Sequence, residues 1–263
     1  MKAKINNSNI YNKNGVLLIA KGQLLTTELL LKLQELNNCT SIGELNKNDI
    51  ILTQCQNNIK AGLLQVDSGI IKQSNELVRN IIFESKNSQW WMSLNLLSNY
   101  SDWIYAHSID VALISMIIAI QLNYSKTEQK DICIGALFHD IGKLLIPKSI
   151  LEKASPLTDY ESMIFQQHCE LGSGIIKDFN LSEGCTNIVL EHHERLDGSG
   201  YPHQLKDEQL SDYAKIVMVA DTFDAVTSFQ PSKRIETVGF ALEEFKADDG
   251  KYDQSIVDTL YGR

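Results

Sequence analysis

The sequence predicts a mainly α protein: a helical bundle over residues 89–263, preceded by a small α+β or all-α unit over residues 1–88. Three observations carry this. Apolar residues after residue 100 recur at helical spacing, with almost no strand-like alternation. Two capping boxes, Ser125-x-x-Glu128 and Thr158-x-x-Glu161, each open such a stretch. Composition changes along the chain: all 6 histidines and all 4 prolines follow residue 106, whereas 16 of 19 asparagines precede residue 100. With no low-complexity linker between them, the two parts meet somewhere in residues 85–98.

In the first part, Asn14-Gly15 lies between Ile10-Tyr11 and Val16 to Ile19, the signal of a type I′ hairpin. Leu29, Leu30, Leu33 and Leu36 follow at helical spacing, and Ile50 to Phe83 is mostly helical. There Ile70, Ile71, Leu77, Val78, Ile81 and Ile82 form an apolar stripe, either a packed helix face or a dimerising one; heptads are too few for a coiled coil. Asp49 and Asp67 are isolated acids of the kind found at helix ends or on surfaces. In the second part, helices are expected over Asp102–Leu122, from Ser125, from Thr158, over Cys185–His193 and over Asp212–Val226.

Composition narrows the function. The net charge of −9 divides into +3 for residues 1–98 and −12 for residues 99–263, which excludes a generally basic surface for duplex nucleic acid. The 5 cysteines are scattered and form no C-x-x-C, so neither a disulfide scaffold nor a zinc ribbon is expected. The longest apolar run, Val111 to Leu122, is too short to span a bilayer, and no secretory leader pattern opens the chain. A cytoplasmic protein without a membrane span is expected. If the acidic half handles an anionic substrate, a metal centre can reverse its local field.

The donors for such a centre are present. His107, His139, His168, His192 and His193 fall within helices or near their ends, and Asp140 follows His139 directly. A single one of these would be an ordinary packed or surface histidine. The adjacent pair His192-His193, and a neutral imidazole beside a carboxylate able to bridge two cations, make a cluster the stronger reading. Nitrogen and oxygen donors without thiolate suit catalytic iron, manganese, nickel or zinc. In His139-Asp140-Ile141-Gly142-Lys143, the lysine lies about one helical turn beyond the histidine, within reach of an anion held there. In His192 to Pro202, Gly198 and Gly200 permit close backbone approach to a ligand. Tyr201 is presented beside Pro202 to stack on a base or donate to a phosphate.

These residues resemble the HD-GYP family, a bacterial branch of the HD phosphohydrolases: H…HDIGK…H…HHERLDGSGYP…D, over residues 95–263. The resemblance implies that His107, His139, Asp140, His168, His192, His193 and Asp221 ligate two divalent metals, with Asp140 as the bridge. Iron or manganese is the implied metal, and nickel, zinc and magnesium are alternatives. The implied reaction is hydrolysis of a cyclic dinucleotide, cyclic di-GMP to pGpG or GMP, or 3′,3′-cyclic GMP-AMP, by a metal-bridging hydroxide. Asp140 and Lys143 would act in catalysis. Lys143, Tyr201, Gly200, Gln230 and Lys233 would contact substrate, and Asp224 would support the site by hydrogen bonding. A catalytically weak relative that binds a nucleotide or a protein is the alternative.

Two departures bear on that expectation. Some relatives carry a glutamate four residues before the first histidine and hold a third metal; here the position is Trp103, so two are expected. Relatives usually carry Arg-Pro-Tyr where this chain has Gln230-Pro231-Ser232, losing a bidentate contact that Lys233 or Arg234 would have to replace. The N-terminal part has no histidine and no phosphate-binding loop. A regulatory role is expected of it, through a homodimer or a signalling partner.

Overall fold

The computed structural model describes strand residues 4–5, 10–11, 17–19 and 24–25, and residues 66–84, 88, 90–228, 235–248 and 250–262. Two compact units divide the chain, Met1–Asn58 and Ile59–Arg263. In the first, β1 (Lys4–Ile5) pairs antiparallel with β4 (Leu24–Leu25), and β2 (Ile10–Tyr11) with β3 (Leu17–Ile19). Ile10 lies opposite Ile19 and Tyr11 opposite Leu17, across the Asn14-Gly15 signal. That turn and the leucine-rich helix expected after it lie outside the described residues.

The second unit begins well before residue 88, because helix α1 (Ser68–Glu84) packs into the bundle. Asp67 starts it: its Oδ1 accepts the backbone N–H of Gly69 at 2.8 Å and of Ile70 at 3.3 Å. The expected stripe is its packing face. Ile71, Ser74, Val78 and Ile82 are buried, while Ile70, Leu77 and Ile81 flank them half-buried.

Helix α2 (Trp91–Tyr100) leads to α3 (Asp102–Gln121), the core of the unit. Ile104, Ile109, Val111, Leu113, Met116 and Ile118 are all buried, covering every face of α3; such a helix must sit among others. Around it pack α1, α2, α4 (Lys126–Phe138), α9 (Asp212–Thr227) and α11 (Gln254–Leu260). Its apolar stretch exceeds the run Val111 to Leu122: Trp103–Gln121 is long and apolar enough, by length and composition, to cross a membrane, and 83% of that window is buried inside the protein. Trp103 to Ala106 extend the run, and polar His107 and Asp110 conceal it.

The remaining elements are α5 (Lys148–Leu151), α6 (Asp159–Gln166), α7 (His168–Ile176), α8 (Glu183–Glu191) and α10 (Val238–Ala247). Both capping boxes form. Ser125 Oγ accepts the Glu128 N–H while Glu128 accepts that of Ser125, and Thr158 and Glu161 do the same for α6. Each cap contributes roughly 1 kcal/mol to its helix. Helix α8 starts at Glu183, earlier than expected, because Ser182 caps it.

Candidate metal centre

All seven predicted donors converge, five of them from positions at or beside helix ends. His139 closes α4, Asp140 begins the 3₁₀ turn Ile141–Leu145, His168 opens α7, and His192 closes α8 with His193 next. His107 and Asp221 reach in from α3 and α9. Two groups result: His107, His139 and Asp221, and Asp140, His168, His192 and His193, each with ligand atoms within 4.8 Å of one another.

The hydrogen bonds set the tautomers. Nδ1 of His139 lies 2.7 Å from the Ala136 carbonyl, Nδ1 of His168 2.7 Å from Phe165 O, and Nδ1 of His192 3.1 Å from Val189 O. A carbonyl only accepts, so each Nδ1 carries the proton and each Nε2 presents a lone pair. Nevertheless Nε2 of His168 faces Nε2 of His192 at 3.3 Å, and Nε2 of His139 faces Nε2 of His107 at the same distance.

Asp140 lies between the pairs with no solvent exposure. Its Oδ2 is 3.4 Å from His139 Nε2 and 3.7 Å from His107 Nε2; its Oδ1 is 3.5 Å from His168 Nε2 and 3.8 Å from His192 Nε2. Oδ1 has no hydrogen-bond partner, nor has Nε2 of His193. Orphaned buried acceptors and opposed lone pairs are costly unless a cation lies among them. Nitrogen and carboxylate donors without thiolate, one carboxylate oxygen toward each group, therefore fit divalent metal ions.

Electrostatics keep the donors ready. Burial alone would raise the Asp140 carboxyl, but Lys143, His139 and His168 hold it well below the usual range. Burial is likewise outweighed at Asp221, chiefly by its hydrogen bond to His107. Burial drives His168 down to about 4 against the opposing pull of Asp140, and holds His192 and His193 well below the ordinary imidazole value. His107 differs. Burial opposes its charge, but hydrogen bonds to Asp221 (Nε2, 3.0 Å) and Asp224 (Nδ1, 2.6 Å) push it up to about 10. Asp224 is thus the supporting carboxylate expected of it, steadied in turn by Ser228 Oγ at 2.6 Å.

A cleft of about 470 Å³ opens beside the cluster, lined by His107, Asp221, Lys143, Tyr201, Trp103 and Phe165 among others. Lys143 is buried, its Nζ 2.5 Å from Asp140 Oδ2 and over the rings of Phe165 (5.3 Å) and Trp103 (5.7 Å). Tyr201 packs against the His193 ring at 4.8 Å, and burial raises its phenol well above the usual value. Gly200 does not line the cleft. A Cβ there would stand 2.3 Å from Glu194 Cα, so this glycine serves packing of the loop on its own backbone rather than approach to a ligand. Gln230 and Lys233 lie outside the described residues.

Sequence reasoning passed over Glu194 and the function of Gly142. Glu194 is fully buried and accepts the N–H groups of His203 (2.7 Å) and Leu205 (3.1 Å), tying down the loop that carries Tyr201. Its signal was adjacency to His193 alone. At Gly142 a Cβ would lie 1.9 Å from His168 O, so only glycine brings the Asp140 turn against α7.

A family model described as the HD domain matches residues 92–256. The chain belongs to the HD domain family. Among curated HD domain relatives it is 38% identical over 171 residues to a cyclic di-GMP phosphodiesterase of Thermotoga maritima, covering 64% of this chain and 46% of that one. It is 32% identical over 166 residues to a cyclic di-GMP phosphodiesterase of Pseudomonas aeruginosa (63% and 40%), and 30% identical over 169 residues to a 3′3′-cGAMP-specific phosphodiesterase of Vibrio cholerae (63% and 39%). The chain spans less than half the length of each. Among solved structures, the HDG"Y"P protein Bd1817 of Bdellovibrio bacteriovorus aligns over 98% of this chain and 94% of its own, with a TM-score of 0.56 at 18% identity. That likeness concerns the fold, and it places this chain's helices in the HD domain arrangement.

Proposed function

We propose that the chain is a metal-dependent phosphodiesterase that opens a cyclic dinucleotide, cyclic di-GMP foremost, to pGpG and onward to GMP. The observation that carries this is Asp140: a buried carboxylate with one oxygen toward each of two histidine pairs, of which His168 and His192 face one another with Nε2 lone pairs at 3.3 Å. The names of the curated relatives support the substrate class. His107, His139 and Asp221 would hold one ion, His168, His192 and His193 a second, with Asp140 shared; iron or manganese suits this donor set. Trp103 offers no carboxylate for a third.

When bound, such a pair of ions lowers the pKa of water and neutralises charge on the phosphoryl oxygens. The protein's own groups do the rest. Neutral His168, His192 and His193 present lone pairs rather than protons at neutral pH. Lys143 brings a fixed positive charge to the edge of the cleft, where phosphate charge grows during displacement. Tyr201 keeps its phenolic proton and so can donate to a substrate oxygen. Trp103 and Phe165 form an aromatic wall against which a base can stack. The N-terminal unit, which has no histidine, is assigned a regulatory role through a homodimer or a signalling partner.

The test is metal analysis together with cyclic di-GMP turnover, products being separated by chromatography. Wild type should carry two ions per chain and release pGpG or GMP, and Asp140→Ala should lose both metal and turnover. Full activity in Asp140→Ala refutes the scheme, and a metal-loaded wild type that binds the dinucleotide without cutting it replaces the enzyme with a binding module.

A further inference from the structure

A cyclic dinucleotide carries two phosphodiesters, and the centre accounts for only one. The second must also leave bulk water, and an anion entering a partly apolar cleft needs a cation or donors to meet it. The chain is acidic, with a net charge of −9, so such a cation has to be placed deliberately. Among the described residues lining the cleft there are two lysines, Lys143 and Lys153. Lys143 is held by Asp140 within the centre.

Lys153 is half-buried and lines the cleft together with the apolar residues Ile150, Leu151, Pro156 and Leu157. There a charge is worth more than in open solvent. Its Nζ contacts Glu161 Oε2 at 2.5 Å. That same oxygen already accepts the Thr158 N–H at 2.8 Å and the Thr158 hydroxyl at 2.9 Å in the cap of α6. The carboxylate is therefore shared among three donors. An ammonium has three protons, and this ion pair uses one, so the anchored lysine keeps donors for a ligand.

We infer that Lys153 is a specificity-determining residue that binds the second, uncleaved phosphate of the cyclic dinucleotide. The inference rests on the reading of the chain as a cyclic dinucleotide phosphodiesterase. It gives a reason why a two-phosphate ring would be preferred to an ordinary diester, and it places a phosphate contact in the described cleft independently of Gln230 and Lys233.

The experiment uses metal-loaded full-length protein. Lys153→Met should raise KM for cyclic di-GMP about tenfold, the value of one charge-assisted hydrogen bond, with kcat changed by less than about twofold. Lys153→Arg should restore most of the loss. The rise should be the same for 3′,3′-cyclic GMP-AMP, because a phosphate contact does not read the base, and much smaller for bis(p-nitrophenyl) phosphate, which has one phosphate. Glu161→Gln separates binding from bracing. If Lys153 only braces α6, this variant should copy Lys153→Met; if it binds phosphate, freeing the ammonium should leave KM unchanged or lower it. Matching rises in the two variants, an equal rise with the single-phosphate ester, or an effect confined to guanine each overturns the inference. If wild type turns over neither substrate, the functional reading fails on its own, and anisotropy with fluorescent cyclic di-GMP decides Lys153: weaker binding by Lys153→Met sustains the inference and unchanged binding overturns it.

Discussion

The substitution Gly142→Ala adds one methyl group, yet it should dismantle the bridge between the two donor groups. The new Cβ would stand 1.9 Å from the His168 carbonyl oxygen and 2.6 Å from Gly172 N, both backbone atoms of α7. Ordinary contact begins near 3.4 Å, so the turn and the helix must separate by about 1.5 Å. Neither can yield as a side chain would, since Gly142 lies in the turn started by Asp140 and His168 opens the helix. Asp140 Oδ1 now sits 3.5 Å from His168 Nε2; a shift of that size removes one group's shared carboxylate. Overpacking costs on the order of 1–3 kcal/mol of stability, and a misplacement of about 1 Å in a reacting site costs on the order of 100-fold in rate. The variant should therefore stay folded by circular dichroism, retain no more than one of the two ions by metal analysis, and lose about 100-fold in kcat/KM. Wild-type metal content and turnover in Gly142→Ala would refute the claim that the turn and α7 share one centre.

Two further outcomes follow from particular contacts. Asp224→Asn keeps a hydrogen-bond acceptor toward His107 but removes the charge behind it; metal affinity, measured by competition with a chelator, should fall about 10–100-fold while the helix content is unchanged. Glu161 is held down to about 2, first by its hydrogen bond with Lys153 and then by the Thr158 cap, from an ordinary value of 4.5. A depressed folded-state value means that its stabilisation is complete above about 4.5 and is lost as pH falls toward about 2. The difference in melting temperature between wild type and Glu161→Gln should accordingly be greatest above pH 5 and shrink through that window, and a constant difference would show that the charge contributes nothing.

Much of the bundle was legible because its signals are local. Capping boxes at Ser125 and Thr158 need only four residues each, and the α1 stripe shows in its own periodicity, though not its partner α3, so the unit was begun too late. Spacing also hid the true length of the apolar stretch in α3, where His107 and Asp110 interrupt the hydropathy but not the helix. At the centre, paired motifs made His139, Asp140, His192 and His193 conspicuous. His107 stands out only as one histidine among five, and Asp221, a single acid in an apolar helix, is reached only through resemblance to a family. Groups defined by distant contact were out of reach: nothing near Gly142 announces the His168 carbonyl, and nothing near Lys153 announces the cleft. Gly200 shows the opposite failure. Its need for close approach was legible, but the backbone it approaches belongs to its own loop.

The placement of the histidines has a physical logic that joins fold to chemistry. His139, His168 and His192 each follow the last turn of a helix, α4, α6 and α8, and each bonds through Nδ1 to the carbonyl three residues earlier. Carbonyls at a helix C-terminus lack intrahelical partners. A histidine placed there satisfies one of them, and the same bond fixes the proton on Nδ1 and turns Nε2 inward. The negative end of each helix also points toward the centre, where it favours cations. His107 cannot use this device, because it lies within α3, where the preceding carbonyls are already engaged by the helix. It needs an acceptor from elsewhere, and Asp224 on α9 supplies one. The bundle thus offers three of its five histidine donors as a consequence of how its helices end, whereas His107 requires a carboxylate contributed by a neighbouring helix.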